Sequence, residues 1–290
     1  MQFTVKTCGE DDADPIWEKA FQQYEALAPI EQGTEEEFLV WKLTDSTGRI
    51  LGGCVLNIDL WKNAELERLW VDEAYRRQGL GAALLRAAER SAWERGCHVL
   101  INDYAFDFQG VRSLFERQGY RLVGSSPWPK GHESDCFVKQ LDASPIGASF
   151  EASLARLGLR LSQGSEEDKD FLKDRLEAFN SRFAPRRHPY WNLDQKAVNA
   201  SDEMIAACIA GVSGWDTLHI DAFWVDEPYW KQGVAAPLLR AVEQTAKQKG
   251  AYLARLRAGD REAAFFREQG YIEHVISACN PKLHLMQKLL

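Results

Sequence analysis

At 290 residues the chain has room for two domains, on a prior of roughly one per ~150 residues. Its 45% hydrophobic and 27% charged fractions exclude a disordered, collagenous or coiled-coil protein. A net charge of −8 argues against general nucleic-acid binding, which needs Lys and Arg on phosphates, and no apolar run approaches the ~18 residues that cross a bilayer.

Thr4–Cys8 reads as a short strand. Asp14 before Pro15 is a good helix N-cap, and Trp17, Ala20, Phe21, Tyr24 and Leu27 follow at helical spacing until Pro29. Phe38–Leu43 and Arg49–Leu60 flank the turn Asp45-Ser46-Thr47-Gly48, so a hairpin is expected. Glu65–Val71 is a strand, and Gly81, Leu84, Leu85, Ala88 and Ala92 line a helix that closes at Arg95-Gly96. Strand Cys97–Ile101, helix Val111–Gln118 and strands Tyr120–Val123 and Cys136–Leu141 complete the set.

The plan then recurs. Glu65–Gly96 reads ELERLWVDEAYRRQGLGAALLRAAERSAWERG, and His219–Gly250 reads HIDAFWVDEPYWKQGVAAPLLRAVEQTAKQKG; 15 of the 32 aligned pairs are identical. Phe115–Tyr120 matches Phe266–Tyr271 after a three-residue deletion. The second copy opens with strand Leu159–Leu161 and a capping box at Ser165 and Asp168, followed by an apolar face of Phe171, Leu172, Leu176, Phe179 and Phe183. The expected division is a domain at 1–141, a linker at 142–155 and a domain at 156–290. Each domain is expected to be α/β, with a mixed, partly antiparallel sheet flanked by helices.

Between strand Glu65–Val71 and its helix lies Asp72-Glu73-Ala74-Tyr75-Arg76-Arg77-Gln78-Gly79-Leu80-Gly81-Ala82. Glycines at a helix start let backbone N–H groups approach an anion, and the helix dipole favours a diphosphate there. The structural alternative is that Gly79 and Gly81 serve only a tight turn. The P-loop pattern lacks its Gly-Lys-Ser/Thr, and the third small residue of the dinucleotide fingerprint falls on Leu84.

Arg76-x-x-Gly79-x-Gly81, together with Phe115-x-x-x-Gly119-Tyr120, resembles the signature of the GCN5-related N-acetyltransferase (GNAT) superfamily. The likeness covers nearly all of both halves, as in a tandem member, and Asp107-Phe108-Gln109 is similar to a bacterial subgroup. The resemblance implies acetyl-coenzyme A as co-substrate, with no metal. Leu69, Trp70 and Val71 would line the pantetheine channel, and Arg76, Arg77, Gln78, Gly79, Leu80, Gly81 and Ala82 would cradle the phosphates. In the second copy Trp230 replaces Arg76, Ala235 replaces Gly81 and Pro237 enters the helix, so that copy reads as degenerate.

Acetyl transfer to an amine requires a base for the ammonium and a proton for the leaving thiolate. Glu67 shares a strand face with Leu69 and is the candidate base, with Asp221 its counterpart; the alternative for Glu67 is a solvated carboxylate or an ion pair with Arg68 or Arg86. The tyrosine that serves as acid in the family is replaced by Phe115 and Phe266. Tyr104, Tyr120 or water are the substitutes, although Tyr104 also suits a packing role. His98 and His219 read as packed or surface residues, His188 as part of a solvated basic loop, Trp17 as near the cleft or core of the first copy, and Asp11, Asp12, Asp14 and Glu35–Glu37 as solvated faces. The six cysteines, at 8, 54, 97, 136, 208 and 279, form no Cys-x-x-Cys pair, which suggests a reduced, cytoplasmic protein. The expected function is acetyl-coenzyme A-dependent N-acetylation of a small-molecule primary amine. The expected partners include no nucleic acid or membrane, and the two halves are expected as a pseudo-dimer within one chain. The alternative is a non-catalytic acetyl-coenzyme A binder or sensor.

Overall fold

The computed structural model describes residues 2–30, 34–106, 110–128, 132–141, 154–277 and 282–290. In chain order, the first repeat contains β1 (Thr4–Thr7), α1 (Ala13–Leu27), β2 (Glu37–Thr44), β3 (Ile50–Ile58), β4 (Asn63–Val71) and α2 (Leu80–Glu94). It continues through β5 (Val99–Phe106), α3 (Val111–Arg117), β6 (Arg121–Trp128) and β7 (His132–Gln140). The second repeat begins with β8 (Arg160–Gln163), α4 (Glu166–Asn180), β9 (Trp191–Asn192), β10 (Gln195–Val198), β11 (Met204–Val212) and β12 (Thr217–Val225). It ends with α5 (Ala235–Gln248), β13 (Leu253–Ala258), α6 (Asp260–Glu268), β14 (Ile272–Ser277) and β15 (Leu283–Leu289). The mixed α/β class and the repeated plan are as expected. Among the described residues, no helix is long and apolar enough to cross a membrane.

The expected division into 1–141 and 156–290 is corrected by the contacts. One compact unit is Glu31–Pro185, and the other combines Met1–Ile30 with Arg186–Leu290. In the first unit the strand order is β6-β7-β5-β4-β3-β2-β8, and among the described residues only the β4–β5 pair is parallel. Strand β8 pairs β2 (Trp41↔Gln163), so the opening strand of the second repeat completes the sheet of the first. In the other unit β1 pairs β10 (Thr4↔Val198), and β12–β13 is the parallel pair. Residues 142–153 of the expected linker lie outside the described residues.

Helix α4 belongs to Glu31–Pro185 because its apolar face is covered there. Leu172 is fully buried with Val40, Val55 and Trp70, and a Cβ on Gly53 would lie 2.6 Å from Leu172 Cδ1. Glycine at 53 therefore sets how closely α4 sits on the sheet. The expected capping box is present: Ser165 Oγ accepts from the Asp168 N–H and Asp168 Oδ2 accepts from the Ser165 N–H. Asp168 also meets Lys42 at 2.7 Å, which joins the helix start to β2. On the opposite face, α2 packs Leu80, Leu84, Leu85 and Ala88 against Leu43, Cys54, Leu56 and Leu66.

Four local expectations change. Helix α1 starts at Ala13, so Asp14 lies inside its first turn, and Asp12 precedes the helix with its carboxylate on the Gly9 N–H and on Lys196. Trp17, expected near the first cleft or core, is 45% exposed on a helix of the other unit. His188, expected in a solvated loop, stacks on Trp191 at 3.5 Å and meets Asp216 at 3.0 Å. Nor are the acidic clusters wholly solvated, since Glu37 pairs with Arg95.

A fragment ending at Leu141 lacks β8 and α4 and leaves Val40, Val55 and Trp70 uncovered. It is expected to show no cooperative urea transition, whereas a 31–185 fragment unfolds in one step. Leu172→Ala is expected to cost about 2–5 kcal/mol by urea unfolding. A cooperative 1–141 fragment would contradict this assignment.

Candidate active site

Strands β4 and β5 pair only at Asn63↔Val99, Ala64↔Leu100 and Glu65↔Ile101. Beyond that point both strands carry an extra residue. Val55↔Arg68 is followed by Leu56↔Leu66, which leaves Glu67 as a bulge in β4 against β3. Asn102↔Phe137 is followed by Ala105↔Asp135, a bulge in β5 against β7. Bulges bend and twist their strands, and here the two strands part.

The gap opens into a cavity of about 470 Å³ within the Glu31–Pro185 unit, a size suited to a small ligand. Glu67, Leu69, Trp70 and Val71 line it from β4, and Arg76, Arg77, Gly79, Leu80, Gly81 and Ala82 from the turn and α2. Gln78 is not part of its wall; its side chain turns back toward the Ala74 carbonyl at 3.4 Å. Tyr104 is on β5, but its side chain lies outside the described residues, as do Asp107-Phe108-Gln109 and Cys279.

The turn has an unusual backbone. Arg77 and Gly79 both adopt positive φ, 65° and 84°. Among the described residues, the N–H groups of Gln78 through Ala82 have no partner, and the Ala83 N–H is the first to bond back, to Gly79 O at 3.0 Å. Five free donors at a helix start form an anion cradle. Gly81 serves close approach, since a Cβ there would lie 3.0 Å from Leu114 Cδ2.

Arg76 has a different task from its neighbour. Its Nε donates to Val71 O at 3.0 Å, and its guanidinium lies 4.1 Å from the Phe179 ring centre. These two contacts fasten the end of β4 to α4, and burial lowers the pKa of the guanidinium. Glu73, three residues earlier, pairs with Arg182 just past that helix. Arg77 and Arg117 line the cavity, and among the described residues neither has an ion-pair partner.

Sequence reading missed the wall residues that come from β5, from α3 and its flanks, and from α4. Leu176, Phe179 and Asn180 come from α4, which had been assigned to the other domain. Asn102 is buried, and its Nδ2 donates to Leu66 O at 2.7 Å. A polar residue closing the apolar run Val99-Leu100-Ile101 was the available signal. Arg117, a cation at the end of α3, offered a weaker one.

Glu67 reaches the cavity, but its carboxylate meets Arg68 at 2.8 Å, with both side chains about a quarter exposed (26% and 24%). Phe115 is buried, stacked on Phe137 at 4.9 Å and edge-on to Tyr120 at 5.0 Å. Tyr120 is not on the cavity wall; it is buried beside Glu89, and burial holds its pKa well above the usual phenol range. Cys54 and Cys97 are pushed up to about 12 by burial, and Cys8 to about 11 by burial and then Asp12. None of these thiols is a ready nucleophile. Among the described residues, no group of three or more His, Cys, Asp or Glu side chains suits a metal ion.

The second repeat builds the same backbone. Lys231 and Gly233 adopt φ of 61° and 80°, and Asp221 is the bulged residue of β12, between Ile209↔Ala222 and Ala210↔Ile220. Trp230 Nε1 donates to Val225 O at 2.8 Å, as Arg76 does to Val71, so the replacement keeps the fastening bond. The Arg261 guanidinium stacks 3.7 Å from the Trp230 ring, which returns a positive charge beside this turn. Asp221 has no arginine like Arg68 next to it: Ala222 follows, Tyr190 Oη donates to it at 3.4 Å, and burial raises its pKa.

The sequence profile of the acetyltransferase (GNAT) family matches residues 8–120 and 159–271. A blasticidin-S acetyltransferase of Streptomyces morookaense is 38% identical over 96 residues, 32% of this chain and 68% of that one. An acetyltransferase structure from Bacillus cereus is 24% identical, with a TM-score of 0.41, over 44% of this chain and 96% of that one. The PaiA N-acetyltransferase of Thermoplasma acidophilum, solved with coenzyme A, is 17% identical, with a TM-score of 0.30, over 44% of this chain and 80% of that one.

The geometry separates the two neighbouring arginines. Arg76→Ala is expected to cost about 1–2 kcal/mol, because it removes a hydrogen bond and a ring contact. Arg77→Ala is expected to stay within about 0.5 kcal/mol of wild type. Equal losses in urea unfolding would show that Arg76 has no fastening role.

Proposed function

From the premise that this chain belongs to the acetyltransferase (GNAT) family, we propose that the cavity of the Glu31–Pro185 unit transfers an acetyl group from acetyl-coenzyme A to a primary amine of a small molecule. The observation that carries this reading is the run of free N–H groups from Gln78 to Ala82 at the mouth of a gap between two strands. The diphosphate fits the donors of the turn, with Arg77 and Arg117 neutralising its charge. The pantetheine arm fits the unpaired edge of β4 along Leu69 and Val71, and the thioester then reaches Glu67.

The proposed step is direct transfer. The ammonium gives one proton to Glu67, through water while Arg68 holds that carboxylate. The neutral nitrogen then attacks the thioester carbon, a C–N bond forms, and the C–S bond breaks as the intermediate collapses. The nitrogen sheds its second proton at collapse, and the departing thiolate takes up one proton in all. This balance needs no phenol, which accords with Phe115 in the place of the usual tyrosine. The name of the Streptomyces relative supports a small-molecule acceptor and makes blasticidin S the first amine to assay. A second reading, coenzyme binding without turnover, is favoured by Phe115 and by the Glu67–Arg68 pair. Release of coenzyme A thiol with an amine panel decides between them.

Glu67→Gln is expected to lower kcat about 100-fold, the scale of one general base, while coenzyme A affinity stays within about twofold. Unchanged kcat from pH 6 to 9 would remove Glu67 from the step. Arg77→Ala and Arg117→Ala are each expected to weaken coenzyme A binding by about tenfold in calorimetry, as befits a charge-assisted contact. Dephosphorylated and intact coenzyme A then show which phosphate each arginine meets.

A further inference from the structure

Asn102 is 7% exposed and sits where β4 and β5 part. Its amide orientation is settled by chemistry: the group facing Leu66 O must be the donor, so Nδ2 takes that place at 2.7 Å. Oδ1 therefore points elsewhere. It is buried, has no hydrogen-bond partner among the described residues, and belongs to a residue of the cavity wall. A buried carbonyl oxygen without a donor is uncommon in a folded protein and calls for a cause. Filling the site with a ligand N–H supplies one.

Position along the strand narrows the ligand. Val71 adjoins the phosphate turn, and Leu66 lies five residues further down β4, roughly 17 Å away at the rise of a strand. On the function proposed above, on which this inference rests, that distance carries the pantetheine arm past its amides and brings its sulfur end to Asn102. The acetyl group and the sulfur of the thioester offer no N–H. The incoming amine does, and Glu67, the candidate base, is the residue that follows Leu66.

We propose that Asn102 is a positioning residue whose Oδ1 accepts an N–H of the acceptor amine and directs its lone pair at the thioester carbon. The same amide, through Nδ2, holds the parted strand at Leu66, so a single side chain sets the width of the gap and the direction of the nucleophile. An oxygen with no N–H of its own favours a primary amine over an alcohol. A hydroxyl would spend its one hydrogen on Oδ1 and have none left for the base, whereas an amine has hydrogens for both.

The test uses the full chain as Asn102→Leu and Asn102→Asp. Both lose the donor to Leu66 O and are expected to melt at similarly lowered temperatures, but only the aspartate keeps an acceptor oxygen. Coenzyme A affinity is measured by calorimetry, and steady-state kinetics are run with acetyl-coenzyme A and blasticidin S, spermidine or glycinamide. The expected result is an amine KM raised tenfold or more in Asn102→Leu, a KM within threefold of wild type in Asn102→Asp, and coenzyme A affinity within twofold in both. Coenzyme A binding weakened tenfold in the leucine variant alone would assign Oδ1 to an amide of the thioester arm and overturn the assignment to the amine. Equal changes in both variants would make the role structural and overturn it too. So would unchanged coenzyme A affinity with either an unchanged amine KM or no amine acetylated. A wild-type protein without affinity for coenzyme A would instead remove the function reading itself, and this inference with it.

Discussion

The site depends on the failure of one strand pair. Three residues of β4 and β5 pair in parallel, and then a bulge in each strand turns the two ladders apart. An unpaired strand edge inside a sheet is costly, because every N–H and C=O left without water or a partner loses a hydrogen bond. The chain offsets part of that cost with side chains. Asn102 satisfies Leu66 O at the narrow end and Arg76 satisfies Val71 O at the wide end. What lies between is backbone available to a ligand, and the cavity follows from that.

The same end-fastening recurs in the second repeat with different chemistry. A guanidinium in one copy and an indole in the other each donate to the carbonyl five residues back. The requirement at this position is an N–H on a long flat side chain, and charge is secondary. A second shared feature is a buried acid in the helix after the turn. Glu89 meets Lys139 at 2.8 Å and lies beside Tyr120, while Glu243 meets Lys288 at 2.7 Å and accepts from Tyr271 Oη at 3.0 Å. A buried pair of this kind contributes little net stability when intact and is costly to break. Backbone geometry at 231–233 and at Asp221 has been retained where the motif has drifted. Positive φ at the turn and the bulge in the strand are set by the packing of helix on sheet, which tolerates Trp230 and Ala235.

Helix α4 gives the cavity of the first repeat one part of its wall. Phe179 stacks under Arg76, and Leu176 and Asn180 stand on the same side. A site read as belonging to one repeat is therefore built from segments before residue 142 and after residue 153, and substitutions in α4 act on it directly.

Elements with a local cause were legible in the residues. The capping box at Ser165, the hairpin at Asp45–Gly48, the helix closing at Gly96 and the glycine turn at 79–81 each rest on contacts within a few positions, and their spacing carries the information. The repeat was legible in the identities between its two copies, and strand alternation put Glu67 on one face with Leu69. Membership of strand and helix in a sheet was not. An amphipathic helix such as α4 presents the same period to either sheet, and only the fit of Leu172 over Gly53, with the ladder from β8 to β2, decides which one it covers. The pairing of Glu67 with Arg68 was among the readings open to the sequence, but the partners of Arg76 and Asn102 were beyond reach, because they are backbone carbonyls exposed where two strands part. Short-range order is written in neighbouring residues, whereas the pairing of distant segments is settled by burial and shape, and those exist only once the chain has folded.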